Sequence, residues 1–534
     1  MKKGNLLKVI STVAATLLLT TSLTGCFGSK EEASTSGENE ATTLKVFFSG
    51  DLKEIDEVVD EFEKNTKETL NLNLDITTAS SADYKEKLRM MMTAGEEMDM
   101  VFDAPWANMN TLINQGGYAE LDSYFNNDEY PGLKKAFSKD FLEANKVNGH
   151  IYGVPITQTF IDLPGFFIRK DIREKYGIPQ IKNDEELIKF FETVLENEET
   201  MAPVGIRQNR GFQNFLNDYD RMPLVNSNIN YMIISGTGAF PMEAAIDTDT
   251  NKLISITTLG DSEKNFASLP APYNKDLRLE RYLKYEEINK YAQNDSIVEK
   301  DNRALFAAGK VASAEGEISG LASMQDKIKA LGGDVEFYPY LKSHREMVKG
   351  GIETDYKAWN FLCIPATSEK IDESMKFLDW IFSSQENNDL FTFGIEGKHW
   401  EAVGDSEWRL PEGVNANDNY SFPGYELTWN PNYIRIPADL DSTSKKYISY
   451  QNDLESYTKR KNPLAGYTFN NQSIKTELAQ VQAVGDKYYV PFQHGVVKNV
   501  EEDVKKYYKE AQDAGLEKVR EEVRKQIEEF LAKK

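Results

Sequence analysis

Between Phe393 and Trp400 the sequence reads FGIEGKHW. Glu396, Lys398 and His399 fall within four positions, framed by Gly394 and Gly397. A carboxylate, an ammonium and an imidazole can all serve in general acid–base catalysis. Nucleophilic catalysis asks for more, namely a hydroxyl or thiol activated by a base that a third group orients. No second His and no Ser stands in this stretch. The polar residues therefore read as turn residues that bond to the backbone and to one another, with Gly394 ending a helix. Metal chemistry is also poorly served. The four His residues, 150, 344, 399 and 494, have no zinc-type spacing. Asp247, Asp249 and Asn251 have the opening spacing of a calcium loop. Its sixth position is Lys252 rather than Gly and its twelfth Thr258 rather than Glu, so a β-turn between strands is expected. The motifs G-x-S-x-G, P-loop and H-E-x-x-H are absent. No metal, no cofactor and no catalytic residue is expected.

The elements that would position a site begin after residue 43. LKVFFSG is a short β-rich run ending at Gly50. Ile55, Val58, Val59 and Phe62 follow at helical spacing. LNLNLDITTA alternates like a strand, 83–93 reads as a helix, and MDMVFDA reads as another strand. This strand–helix alternation predicts an α/β fold with a parallel sheet. Ligands of such sheets bind beyond the carboxyl ends of the strands. That rule singles out two loops, Ser49-Gly50-Asp51 and Asp103-Ala104-Pro105-Trp106. Further on, the apolar spacing predicts one helix over 369–393, with Trp380 on its core face.

The first 25 residues carry Lys2, Lys3 and Lys8, then an interrupted apolar run of about 15 residues. A membrane-spanning helix needs about 20, so the segment reads as an export signal. It ends Leu23-Thr24-Gly25-Cys26, which resembles the lipobox of bacterial lipoproteins, whose Cys is lipidated. Residues 27–43 are polar and rich in Ser, Thr, Glu and Gly, the composition of a flexible tether. Cys363 then has no partner and is expected to be a buried thiol. The formal charge is −24, and near −27 without the signal lysines. Nucleic acid, which binds through phosphate neutralisation, is thereby disfavoured. About 490 residues after the tether are too many for one core.

Several segments resemble extracellular solute-binding proteins of ABC importers, of the oligosaccharide-binding Gram-positive kind. They are MMTAGEEMDMVFDAPWANM (91–109), GHIYGVPIT (149–157), LFAAGKVASAEGE (305–317), WNFLCIPATS with the helix and FGIEGKHW that follow (359–400), and NPLAGYTFNNQSIKTELAQVQAV (462–484). The resemblance implies a two-lobed periplasmic-binding-protein-like fold with a hinge and a C-terminal extension. It implies a non-catalytic receptor, lipid-anchored through Cys26 at the outer face of the cell membrane. Such a receptor captures an oligosaccharide, delivers it to an ABC permease, and acts as a monomer. The expected organisation is a signal over 1–25 and a tether over 26–43. A first lobe over 44–155 shares part of 300–360. A second lobe takes 156–300 and 361–400, and a C-terminal region over 401–534 packs on both. Chain crossings are expected near Pro155, near 300–315 and near 359–365.

Sugars present apolar C–H faces and a fringe of hydroxyls, so aromatic rings and polar side chains should hold them. The expected contacts are Trp106, Asp103, Asp51 and Asn108 at the sheet edge, and Trp359 and Asn360 at a crossing. Glu315, Trp400 and Trp429 complete the set. Trp408 is uninformative, and 207–222 reads as a solvent-facing helix. Two rival readings remain open, a surface-tethered glycoside hydrolase and a peptide-binding receptor. The 86 Asp and Glu leave room for the carboxylate pair that a glycosidase needs. An adhesion scaffold is disfavoured by the strand–helix alternation and the lack of repeats.

Overall fold

The computed structural model describes residues 40–534, apart from 157–160, 214, 216–227, 235, 416–417, 431, 466 and 468. The signal segment, Cys26 and nearly all of the tether lie outside the described residues, as does half of 207–222; the described half is turn with Phe212 and Phe215 buried, not the solvent-facing helix expected. The first strand starts at Thr42, two residues before the expected start of the first lobe.

β1 (Thr42–Ser49), β2 (Leu72–Ala79) and β3 (Met100–Asp103) form one parallel set with β1 in the middle. All four residues of β3 are buried, as in a strand covered on both faces. α1 (Ile55–Thr66) buries Val58, Val59 and Phe62, the stripe its spacing predicts. α2 (Tyr84–Ala94) ends on Gly95 at φ 69°, a left-handed cap that suits glycine.

The strand Phe361–Cys363 enters this same sheet, antiparallel to both β3 and β4 (Val154–Pro155). The helices Ile371–Ile381 and Gln385–Phe393 pack beside it, with the rings of Phe377 and Phe391 at 5.3 and 5.7 Å from Phe62. Segment 361–400 thus belongs to the first lobe, not the second as expected. Its three strand residues are all buried, Cys363 among them, and only the gap between β3 and β4 pairs both edges. Conversely, Phe306, Val311, Ile318, Val335 and Ile352 sit in another core, so 300–352 contributes nothing to the first. The single helix expected over 369–393 is two helices. Ser384 breaks it and caps the second, its hydroxyl accepting the Asn387 N–H at 3.2 Å. Trp380 packs edge-on against Phe62 at 5.0 Å.

The second lobe is built on β5 (Pro164–Arg169), which lies between the strands Val335–Pro339 and Ser313–Glu317. Alternate residues of β5 serve cores on its two faces, Phe166 and Ile168 on one side and Phe167 on the other. The C-terminal helices Lys475–Gln493, Val500–Asp513 and Leu516–Leu531 are part of the core that holds Phe166. Gly485 marks a very close approach. A Cβ there would lie 2.1 Å from the Ala239 carbonyl oxygen, so only glycine fits. Asp247 accepts the N–H groups of Asp249 and Thr250 at 2.9 and 2.8 Å, closing a turn between the strands Glu243–Asp247 and Lys252–Thr257.

The chain passes between lobes after Ile156, between Ile352 and Ala358, and between Leu427 and Leu440. Residues 300–315 are not a crossing, because they lie inside the second lobe. The crossing beyond Leu427 was not anticipated.

Candidate functional site

β1 and β3 end at one edge of the first sheet. Asp103 closes β3 but is 0% exposed. Its carboxylate accepts the Ala104 N–H at 2.7 Å, the Asn108 N–H at 3.0 Å and the Tyr118 hydroxyl at 2.7 Å. Two of these bonds shape the 104–108 turn and the third ties it to Tyr118, so the fully buried Asp103 positions the turn and is not a ligand contact as expected. The Asn108 amide donates to the Lys85 carbonyl at 2.8 Å and braces the same turn on α2. The product of this bracing is Trp106, held 47% exposed with its indole N–H donated to Asn360 Oδ1 at 3.1 Å. Lys85 Nζ lies 4.6 Å from its ring centre. Trp359, next to Asn360, is 65% exposed. Three expected residues from distant parts of the chain, Trp106, Trp359 and Asn360, are thus brought together. Asp51 is exposed after Gly50 at the same edge. Glu315 is not in this group. It belongs to the second-lobe sheet, where Arg210 Nη1 donates to its carboxylate at 3.1 Å.

Residues 420–430 lie across this sheet edge. The Ser49 N–H donates to Glu426 at 2.8 Å, and the Ser49 hydroxyl donates to the other carboxylate oxygen. Glu426 is wholly buried, which pushes its carboxyl up to about 7. Ring contacts run from Trp106 through Phe102 and Tyr425 to Trp429, with centroids 6.1, 5.6 and 6.1 Å apart. Beyond Trp429 opens a cavity of ≈ 1060 Å³. Trp400, Trp408, Trp429 and Tyr433 line it on one side. Ser319 and the helix Leu321–Lys329 of the second lobe line the other.

Comparison with known proteins now adds the family. The model of the bacterial extracellular solute-binding proteins matches residues 49–388, well over half the chain. The chain belongs to that family. A domain of unknown function, DUF3502, matches residues 463–532 of this solute-binding protein, the three C-terminal helices. A "carbohydrate ABC transporter substrate-binding protein" of Streptococcus pneumoniae is 22% identical over 493 residues, covering 91% of this chain and 90% of that one. Among solved structures, the N-glycan transport solute binding protein of the same species superposes with a TM-score of 0.68. It is 18% identical and covers 92% of this chain and 99% of that one. An "HMO binding ABC-transporter associated Solute Binding Protein" of Bifidobacterium longum infantis has a TM-score of 0.55 at 14% identity, covering 92% of this chain and 99% of that one. These likenesses confirm the two-lobed α/β fold.

The FGIEGKHW turn of this solute-binding protein is a brace. Gly394 caps its helix at φ 85°. His399 Nδ1 accepts the Ile395 N–H at 2.8 Å, so the ring proton sits on Nε2, 3.0 Å from Glu54. Burial lowers the pKa of this imidazole and keeps it neutral. Lys398 pairs with Glu57 on α1. The turn is thereby tied to the start of α1, and the His399 ring stacks on Tyr420 at 5.5 Å. Trp400 is only 3% exposed. Its indole N–H donates to the Gly394 carbonyl at 3.0 Å, and the Arg435 guanidinium lies 5.0 Å over its ring. Phe393 separates it from Trp408 at 5.3 and 4.8 Å. Trp408, which the sequence left uninformative, is the half-buried ring of this stack. It stands in the short strand Glu407–Arg409, paired with Glu401–Val403. A tryptophan in so short a hairpin was the signal to follow.

Proposed function

We propose that this solute-binding protein captures an oligosaccharide and delivers it, unaltered, to the permease of an ABC importer. The observation that carries this reading is the ≈ 1060 Å³ cavity between the lobes, walled by the half-buried indoles of Trp408 and Trp429, with Trp400 bracing the wall behind them. Its size stands at the upper end of small-molecule sites, about 300–1,000 Å³, and suits several sugar units better than one. Flat rings bury the C–H faces of sugars at low entropic cost. Ser319, Gln325, Asn415 and Asn430 supply the polar fringe for hydroxyls. The carbohydrate names carried by the relatives agree. Walls drawn from both lobes also suit closure by hinge motion around a ligand. Trp106, Trp359, Asn360 and Asp51 extend the site along the sheet edge, and Trp429 joins that edge to the cavity.

A glycan panel read by thermal shift tests the reading, because a ligand that binds only the folded state adds about 2.7 kcal/mol at a hundred times its Kd. A neutral or acidic glycan should raise the melting point and be recovered intact. A shift with peptides alone would overturn the sugar reading, and hydrolysis of the glycan would overturn the receptor. Trp429→Ala and Trp106→Ala should each weaken binding about tenfold, roughly 1.4 kcal/mol. Unchanged affinity removes the residue from the site.

Anchoring through a lipidated Cys26 at the outer face of the membrane belongs to the same proposal, resting on Leu23-Thr24-Gly25-Cys26. Among the described residues no helix is long and apolar enough to cross a membrane. Cys26→Ser should move the protein from the membrane fraction to the medium or into an unprocessed precursor. Continued membrane retention of a processed form would count against the lipid.

A further inference from the structure

We infer that the cavity selects neutral oligosaccharides over acidic ones, an inference that rests on the oligosaccharide reading above. The cavity wall carries three cationic side chains, Lys327, Arg409 and Arg435. Two are neutralised by the fold itself. Arg435 Nε lies 2.7 Å from the Asp389 carboxylate, and both side chains are largely buried. Arg435 Nη1 also donates to the Asp405 carbonyl at 3.3 Å. Arg409 places Nε and Nη2 on one Glu401 oxygen, at 3.0 and 2.8 Å. Against Lys327 stand two further carboxylates in the lining, Asp326 and Asp439. His399, also in the lining, is neutral because of its burial. Asp326 and Asp439 are near enough to feel each other. Burial first, and then the Asp439 charge, push the Asp326 carboxyl up, while Lys329 opposes them.

The lining is therefore close to neutral and tilts to the negative. A uronate, sialate or sulfate entering it meets two arginines already paired to carboxylates, and one further cation, Lys327, that the two wall carboxylates Asp326 and Asp439 outnumber. Burying such an anion without a partner is costly, and recognition of carboxylate ordinarily uses a dedicated bidentate arginine. The chain charge of −24 adds long-range repulsion. Hydroxyls, by contrast, need only the amides, hydroxyls and carboxylate oxygens that the wall supplies.

Calorimetric titration of the purified protein with length-matched neutral and uronic-acid or sialylated oligosaccharides decides the matter. The neutral members should bind at least tenfold more tightly. Equal or tighter binding of the acidic members overturns the inference and leaves the oligosaccharide reading standing. Binding of neither, with binding of peptides, overturns the oligosaccharide reading itself. Asp389→Asn provides an independent check, since it keeps the shape but frees the Arg435 charge. In a variant that remains folded by circular dichroism, the neutral-to-acidic affinity ratio should fall at least threefold. An unchanged ratio overturns the assignment of selectivity to this pairing.

Discussion

Trp400→Ala should lower the stability of the protein by about 3–5 kcal/mol, the usual cost of truncating a buried aromatic ring. The residue is 3% exposed and holds three neighbours at once. Its indole N–H satisfies the Gly394 carbonyl at 3.0 Å, beside a glycine whose φ of 85° leaves little room for adjustment. Its face carries the Arg435 guanidinium at 5.0 Å, and its other contact is Phe393 at 5.3 Å. Alanine would leave a void, an unpaired carbonyl, and an arginine uncovered beside Asp389. The melting midpoint should fall by several degrees. Trp429→Ala is the control, because Trp429 is half-buried and joins the ring series rather than a turn. It should lose affinity with a much smaller loss of stability. The opposite pattern, a stable Trp400→Ala that no longer binds, would show Trp400 to be a ligand platform and not a brace.

This contrast also marks what the sequence made legible. β1 to β3 and the helices between them could be read off because their signals are local. Alternation, helical spacing and a glycine cap all lie within a dozen residues of one another. Placement of 361–400 could not be read that way. FLC is apolar enough to be a strand, but nothing in three residues names β3 and β4 as its neighbours. The crossing after Leu427 has the same cause, since it depends on which core claims Tyr420 and which claims Leu440.

Site residues divide along the same line. Trp106 and Asn360 could each be named from sequence, but the 3.1 Å bond joining them spans 254 positions. Asp103 was misjudged because residue type and strand position suggest a ligand contact, while burial is a tertiary property. Trp408 and Glu426 were missed for the reverse reason, since their stretches read as polar and turn-rich and only packing gives them their roles.

Glu426 carries the last prediction. Its carboxyl is wholly enclosed, accepts both Ser49 donors, and is raised from an ordinary 4.5 to about 7, by burial before anything else. The groups that act on it are Ser49 and Tyr425, with Tyr84 close by, and no cation is among them. Between pH 4.5 and 7 the folded protein therefore holds a proton that the unfolded chain has released. Stability must fall as pH rises through that window, by about 3 kcal/mol for a shift of this size. Glu426→Gln mimics the protonated carboxyl, with an oxygen for the Ser49 N–H and an amide that donates to the Ser49 hydroxyl. The variant should match the parent near pH 5 and exceed it in stability by up to about 3 kcal/mol near pH 8. The comparison isolates one group, because every other carboxylate is common to both proteins. Identical pH profiles for the two would mean that Glu426 is not the source of the slope. Because Glu426 fixes residues 420–430 to the end of β1, its ionisation should also loosen the Tyr425–Trp429 side of the cavity. Ligand affinity should then decline above pH 7 in the parent and stay level in Glu426→Gln.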